Sequence, residues 1–246
     1  MATLVGSVVV AYAMVVAVAF AMQRTLIYFP PAEPPIPVAP FDEVRLRTED
    51  GLDLLAWYAP PRDAAAPVLL YFHGNAESIE SGPPKLAPFL AEGFGALLVE
   101  YRGYAGNPGK PSESGLYLDA SAGMAWLMAN GVASERVIPY GASLGSGIAV
   151  EVAASHPIRA VVLEAPFTSL AEVGARSYPY LPARLLTRDR YDSLAKMSGI
   201  EAPLFVLHGE ADRLVPAEMG RALLAAAAGP TQGHFVAGLG HGEMLS

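Results

Sequence analysis

At 246 residues, with 52% hydrophobic and 16% charged, the chain is long and apolar enough for one well-packed core, which excludes a disordered polymer. A net charge of −8 without any run of Lys or Arg lacks the phosphate-neutralising footprint of a nucleic-acid binder. With no cysteine, disulfides, thiolate nucleophiles and Cys-ligated zinc are excluded, and Ser, Thr, Lys or a carboxylate remains for nucleophilic work.

The run from Leu4 to Met22 carries no charge, and its roughly 19 residues approach the ~20 that a helix needs to cross a bilayer. A secretory signal peptide is the rival reading, since Ala19-Phe20-Ala21 resembles a small-x-small cleavage site. Against it, no Lys or Arg precedes Leu4, and the apolar run exceeds the usual ~7–15 residues. Residues 1–29 therefore read as a membrane helix, with Arg24, Tyr28 and Phe29 expected at the lipid headgroups. Arg24 points to a cytoplasmic catalytic domain on the inner (plasma) membrane by the positive-inside tendency. Residues 30–40, P-P-A-E-P-P-I-P-V-A-P, read as a stiff extended spacer, because each proline fixes φ and removes a backbone donor.

A domain over residues 41–246 opens with two alternating segments around Asp50-Gly51, a hairpin signal. From Pro67 the pattern changes to continuous apolar runs: V-L-L-Y-F, A-L-L-V-E-Y, R-V-I-P-Y, A-V-V-L-E, P-L-F-V-L and H-F-V-A-G-L. Helical stretches near Pro84–Glu92, Ser114–Asn130, Leu144–Ser155 and Pro216–Ala228 lie between them. Such alternation predicts an α/β fold with an eight-stranded, mostly parallel sheet and helices on both faces. Residues 168–202 form a less regular insertion after the sixth strand, a short cap. There are no internal repeats.

Gly141-Ala142-Ser143-Leu144-Gly145 falls where a buried strand meets an apolar helix. A tight turn with an incidental serine is the plain alternative. Strand before and helix after instead make Ser143 an exposed nucleophile on a strained turn, with glycines where a Cβ would clash. The N–H of Leu144 and the helix N-terminus behind it can stabilise an oxyanion.

A serine hydroxyl needs a histidine base oriented by a carboxylate. In α/β hydrolases, whose nucleophile occupies this kind of turn, the partners follow as serine, acid, histidine. Of His156, His208, His234 and His241, only the last two also follow an acid on a late strand. His234 is read as beginning the last strand, far from the nucleophile, whereas His241 follows Gly238-Leu239-Gly240 where that strand stops, so His241 is the expected base. Asp212, in H-G-E-A-D-R-L-V-P after the seventh strand, is the expected acid, and Glu164 at the end of the sixth is the runner-up. Glu210 reads as structural. His208 positions the acid loop, and His73 shapes the loop after V-L-L-Y-F, whose Asn75 is the second expected oxyanion donor beside Leu144.

With H-G-N-A, E-Y-R-G-Y, P-S-E-S-G-L-Y-L-D-A, G-A-S-L-G-S, L-E-A-P-F-T-S-L, D-R-L-V-P and the late G-H, the chain resembles one branch of the α/β hydrolases. That branch is the membrane-anchored serine hydrolases, which include protein depalmitoylases and small lipid esterases. The resemblance runs from about Phe41 to His241. It implies acyl-ester or thioester hydrolysis without metal or organic cofactor, at the same Ser143, Asp212 and His241. Glu100 stands where the branch usually has Asp, and Ser146 where it has a second glycine. The cysteine-rich N-terminal segment of animal depalmitoylases is absent. Ser246 comes where relatives usually continue into a closing helix, so a barer face near His241 is expected.

The expected substrate is a single-chain lipid ester of monoacylglycerol or lysophospholipid type, with protein S-acyl thioesters as the alternative. A catalytically idle, membrane-tethered binding module is the reading from a different class. The apolar Tyr178, Tyr180, Leu181 and Leu185 of the insertion are the expected substrate contacts. Bilayer and acyl substrate are the implied partners, and nothing in the sequence fixes an oligomeric state.

Overall fold

The computed structural model describes residues 2–245, so the outermost positions of the predicted anchor and domain, Met1 and Ser246, lie outside the described residues. The chain begins with helix α1 (Ala2–Ile27) and continues with β1 (Asp42–Arg47), β2 (Asp53–Ala59), β3 (Val68–Phe72), α2 (Gly82–Ala91) and β4 (Gly95–Val99). Then come α3 (Glu113–Ala129), β5 (Val137–Ala142), α4 (Leu144–Ser155) and β6 (Val161–Glu164). The insertion carries α5 (Leu170–Ser177), α6 (Ala183–Leu186) and α7 (Ser193–Lys196). The chain closes through β7 (Leu204–Gly209), α8 (Ala217–Ala226), β8 (Thr231–Val236) and α9 (His241–Leu245).

The eight strands form one sheet in the order β1-β2-β4-β3-β5-β6-β7-β8. Only β2 runs against the rest, pairing antiparallel with β1 and β4, so the predicted antiparallel opening is one reversed strand. Every residue of β3, β4 and β5 is buried, which is why these strands read as unbroken apolar runs. Their side chains alternate between two cores. Leu69 and Tyr71 join Leu86 of α2 on one face, whereas Val68, Leu70 and Phe72 join residues of α3, α4 and α8 on the other.

At the far edge, β8 begins at Thr231, three residues before the apolar run that marks it in the sequence, and His234 lies mid-strand opposite Leu207. An edge strand exposed over Thr231–His234 needs no apolar side chains there, because main-chain bonding to β7 defines it. The position of His234 is thus corrected: the register sets it level with Ala142 of β5, three strands across from the nucleophile, and not at the far end of the strand.

Further findings concern the N-terminal segment. Tyr28 is 3% exposed, and its hydroxyl lies 2.9 Å from that of Tyr191, so it is a core residue and not a headgroup anchor. Arg24 makes a bidentate pair, at 2.9 and 3.1 Å, with the buried carboxylate of Asp189. A buried carboxylate needs such a partner, and this need draws the helix end onto the domain. The proline stretch is no free spacer either: Pro35 is buried, and Pro31 accepts a hydrogen bond from the Ala105 N–H. Along α1, Val16, Ala19, Phe20, Gln23 and Ile27 are the residues turned toward the domain, a stripe at helical spacing, while most of the remaining surface is exposed apolar side chain. The segment Thr3–Ile27 is long and apolar enough to cross a membrane.

Candidate active site

Ser143 sits between the last residue of β5 and the first of α4 with φ 48° and ψ −112°, a strained conformation for a residue bearing a Cβ. The surrounding glycines are there for space. A Cβ on Gly145 would lie 2.1 Å from the Phe72 carbonyl oxygen at the end of β3, and one on Gly141 would lie 2.2 Å from the Gly145 carbonyl. Backbone cannot yield to such overlap as a flexible side chain can. Gly145→Ala is therefore expected to give no soluble folded protein, or a Tm lowered by about 10 °C or more, given ~2–4 °C per kcal/mol for a domain this size. Ser146→Ala is the control: its buried hydroxyl has no partner among the described residues, so thermal melts should show no loss. A tolerated Gly145→Ala would reject the close-approach argument.

The serine hydroxyl lies 2.9 Å from His241 Nε2, and His241 Nδ1 lies 2.6 Å from Asp212 Oδ2. A carboxylate only accepts, so Nδ1 carries the proton and Nε2 is left to accept from Ser143. Asp212 Oδ1 accepts from the Leu214 and Val215 N–H groups at 2.9 and 2.8 Å, which fixes the carboxylate. Burial alone would raise the Asp212 pKa. Hydrogen bonds from His208, His241 and the Val215 N–H outweigh it and hold the carboxyl well below its ordinary range. His208 donates from Nε2 to the Val215 carbonyl at 2.8 Å and stands 3.5 Å from Asp212 Oδ2, so it holds the acid loop as its position suggests. The loop before His241 is tied to the acid loop through the Ala211 N–H to the Leu239 carbonyl.

The other acids are occupied elsewhere. Glu164 accepts from Tyr140 Oη at 2.9 Å and pairs with Lys85 at 2.6 Å. Glu210 pairs with Arg221.

Asn75 and Leu144 border the same cavity as Ser143, and neither backbone N–H donates to an acceptor among the described residues. The loop bearing Asn75 is held from beneath. His73 Nε2 meets Glu100 Oε1 at 2.9 Å, Tyr101 Oη donates to the His73 carbonyl, and Tyr104 Oη donates to Asn75 Oδ1. This is the local work of E-Y-R-G-Y: Glu100 also accepts from the Ile79 N–H, so the longer acid serves at that position. From above, Asn75 Nδ2 donates to the Ile27 carbonyl and Oδ1 accepts from the Phe29 N–H at 3.0 Å. The end of α1 is thereby stitched to the loop bearing Asn75.

Above Ser143 lies a cavity of about 510 Å³. Tyr178, Tyr180 and Leu181 line it as expected. Leu185 does not. It is 81% exposed, and Leu186, one residue on, faces the cavity in its place. In a helix of four residues a one-residue step turns the side chain by about 100°, which the irregular sequence of the insertion did not fix. Sequence reasoning also missed Phe167, Val173, Leu214 and Val215, and above all the wall supplied by α1. The signal for the last was present in Gln23, a polar residue ending an apolar run, but its partner lies 165 positions away.

Residues 67–192 match the family model described as alpha/beta hydrolase fold. The chain is 41% identical over 231 residues to the Mycobacterium tuberculosis protein named Uncharacterized protein Rv2307c, covering 91% of this chain and 82% of that one. It is 30% identical over 207 residues to the human Alpha/beta hydrolase domain-containing protein 17B, covering 80% of this chain and 68% of that one. To the human Protein ABHD12B it is 36% identical over 190 residues, 68% of this chain, and it spans about half of that longer protein, 51%. The Pyrococcus furiosus esterase Pf2001 superposes with a TM-score of 0.71 at 22% identity, covering 88% of this chain and 92% of that one, a likeness of fold. Strand order, the strained turn after the fifth strand and the two late loops are thus accompanied by similarity over most of the sequence, and the chain belongs to the α/β-hydrolase family.

Proposed function

We propose that this chain is a membrane-associated serine hydrolase that cleaves single-chain acyl esters, of monoacylglycerol or lysophospholipid type, through an acyl-serine intermediate. The observation that carries the reading is the unbroken relay Ser143 Oγ, His241 Nε2, His241 Nδ1, Asp212 Oδ2, at 2.9 and 2.6 Å, opening on an apolar cavity. Ser143 Oγ attacks the ester carbonyl carbon as His241 Nε2 takes its proton, and Asp212 stabilises the imidazolium. The carbonyl oxygen, now an oxyanion, is held by the N–H groups of Asn75 and Leu144. His241 then protonates the departing alcohol, and water, deprotonated by the same nitrogen, releases the acyl group from Ser143. An idle binding module has no need of this strain and relay.

Membrane association rests on the apolar α1, and Arg24 favours a cytoplasmic catalytic domain. The acyl side of the substrate is matched by the cavity, whereas a thioester would use the same serine, so the leaving group is the variable to test. A hydrolysis panel on the full chain in detergent is expected to give monoacylglycerol and lysophospholipid turnover above that of long-chain acyl thioesters, with covalent fluorophosphonate labelling. Thioesters leading the panel would move the assignment to S-acyl hydrolysis; absence of both labelling and turnover would reject it.

A further inference from the structure

The geometry points to a second role for α1: it is one wall of the acyl-chain site and sets the length of chain accepted. The inference rests on the acyl-hydrolase reading and deepens it. Val15, Val16, Ala19, Phe20, Gln23 and Ile27 line the cavity from one side, with Tyr180, Leu181 and Leu186 of the cap facing them. Ile27 marks the reactive end, because its carbonyl accepts from Asn75 Nδ2 in the loop beside Ser143. Val15 marks the far end, one turn from Tyr12, whose hydroxyl donates to the Tyr180 carbonyl at 2.8 Å. Twelve residues of helix advance about 18 Å, roughly the span of fourteen extended methylenes.

The wall is apolar and fixed. Gln23 is the anomaly in an otherwise apolar stripe, yet its amide is occupied: Nε2 donates to the Phe20 carbonyl at 2.9 Å, and Oε1 accepts from the Arg188 N–H at 2.7 Å. It therefore joins helix to cap and offers the cavity its methylenes. The Arg188 guanidinium lies 4.1 Å from the centre of the Phe20 ring and holds it against the cap. A slot of this length and polarity suits an unbranched acyl chain laid along the helix, with its ester at Ser143.

Ala19 faces the slot about 12 Å from Ile27 along the axis, or roughly nine methylenes from the reactive end. Ala19→Trp should therefore lower the ratio of kcat/KM for p-nitrophenyl palmitate to that for p-nitrophenyl butyrate by at least about tenfold, because a butyryl chain is too short to reach position 19. Ala21→Trp, on the exposed opposite side of α1, should leave the ratio unchanged. Ala19→Leu, a milder intrusion, covers the case in which the tryptophan prevents docking of the helix, and should shift the ratio in the same direction. Binding of the fluorescent fatty acid cis-parinaric acid to the full Ser143→Ala chain supplies a readout independent of turnover, and adding Ala19→Trp should weaken it. Equal ratios in wild type and both Ala19 variants overturn the wall while leaving the hydrolase reading in place. No ester turnover in wild type, with parinaric acid binding weakened at Ala19, would do the reverse.

Discussion

Ser143→Ala should abolish ester turnover and fluorophosphonate labelling together, and leave the thermal melt of the protein in place. The expectation follows from how the turn is built. Its strain comes from backbone crossing, with Gly145 against Phe72 and Gly141 against Gly145, and none of those contacts involves the serine hydroxyl. The hydroxyl's one bonded partner among the described residues is His241, which keeps Asp212 when the hydroxyl is removed. The backbone bonds of the turn, Ser143 N–H to the Glu164 carbonyl and Ser146 N–H to the Ser143 carbonyl, survive any side-chain change. Loss of activity with a conserved melt isolates the nucleophile, and labelling that persists would place it at another residue.

Asp212→Asn should lower kcat by about 10⁴-fold, the loss typical when a triad carboxylate becomes an amide and the histidine adopts the wrong tautomer. Glu164→Gln should stay within a few fold in turnover, because its partners are Tyr140 and Lys85 and not His241. The opposite ranking would transfer the role of acid to the sixth strand. Asp212 also carries a pH signature. Its folded pKa is depressed below the unfolded value near ~3.9, so its contribution to stability is complete above that pH and is lost as pH falls toward the folded value. Acid melts of wild type and Asp212→Asn should therefore converge below about pH 4 while differing at neutral pH. Curves that stay parallel throughout would reject the linkage.

Much of the sheet was legible because buried parallel strands must be continuously apolar: β3, β4 and β5 were read within one or two residues of their ends. Helix α4 was read without error, since the same glycines that mark the nucleophile mark its start. β8 was the weakest strand, because exposure at an edge erases the apolar signal on which the reading depended. Ser143, Asp212 and His241 were singled out by chain order together with their places in loops at the carboxyl ends of strands, with Glu164 as runner-up acid, and the structure brings the three within hydrogen-bond reach. What escaped was long-range: the largely apolar wall that α1 gives the cavity, and the polar contacts that hold it there. Neither the Arg24–Asp189 pair nor the Tyr28–Tyr191 contact has a local signature, and the second turns an expected headgroup anchor into a core residue. Local patterns carry no record of partners more than 160 positions away.

The clamp of α1 on the cap also governs how the enzyme would sample its substrate. A domain on a slack tether tumbles above a surface and meets lipid in many orientations. Here the Arg24–Asp189 and Tyr28–Tyr191 links leave little slack, so on the proposed reading, with α1 seated in a bilayer, the slot would keep one tilt relative to that bilayer. On that reading encounter would become lateral diffusion in two dimensions. The rate then follows the mole fraction of substrate among the surrounding lipids, and it falls when inert lipid dilutes that surface at constant bulk concentration.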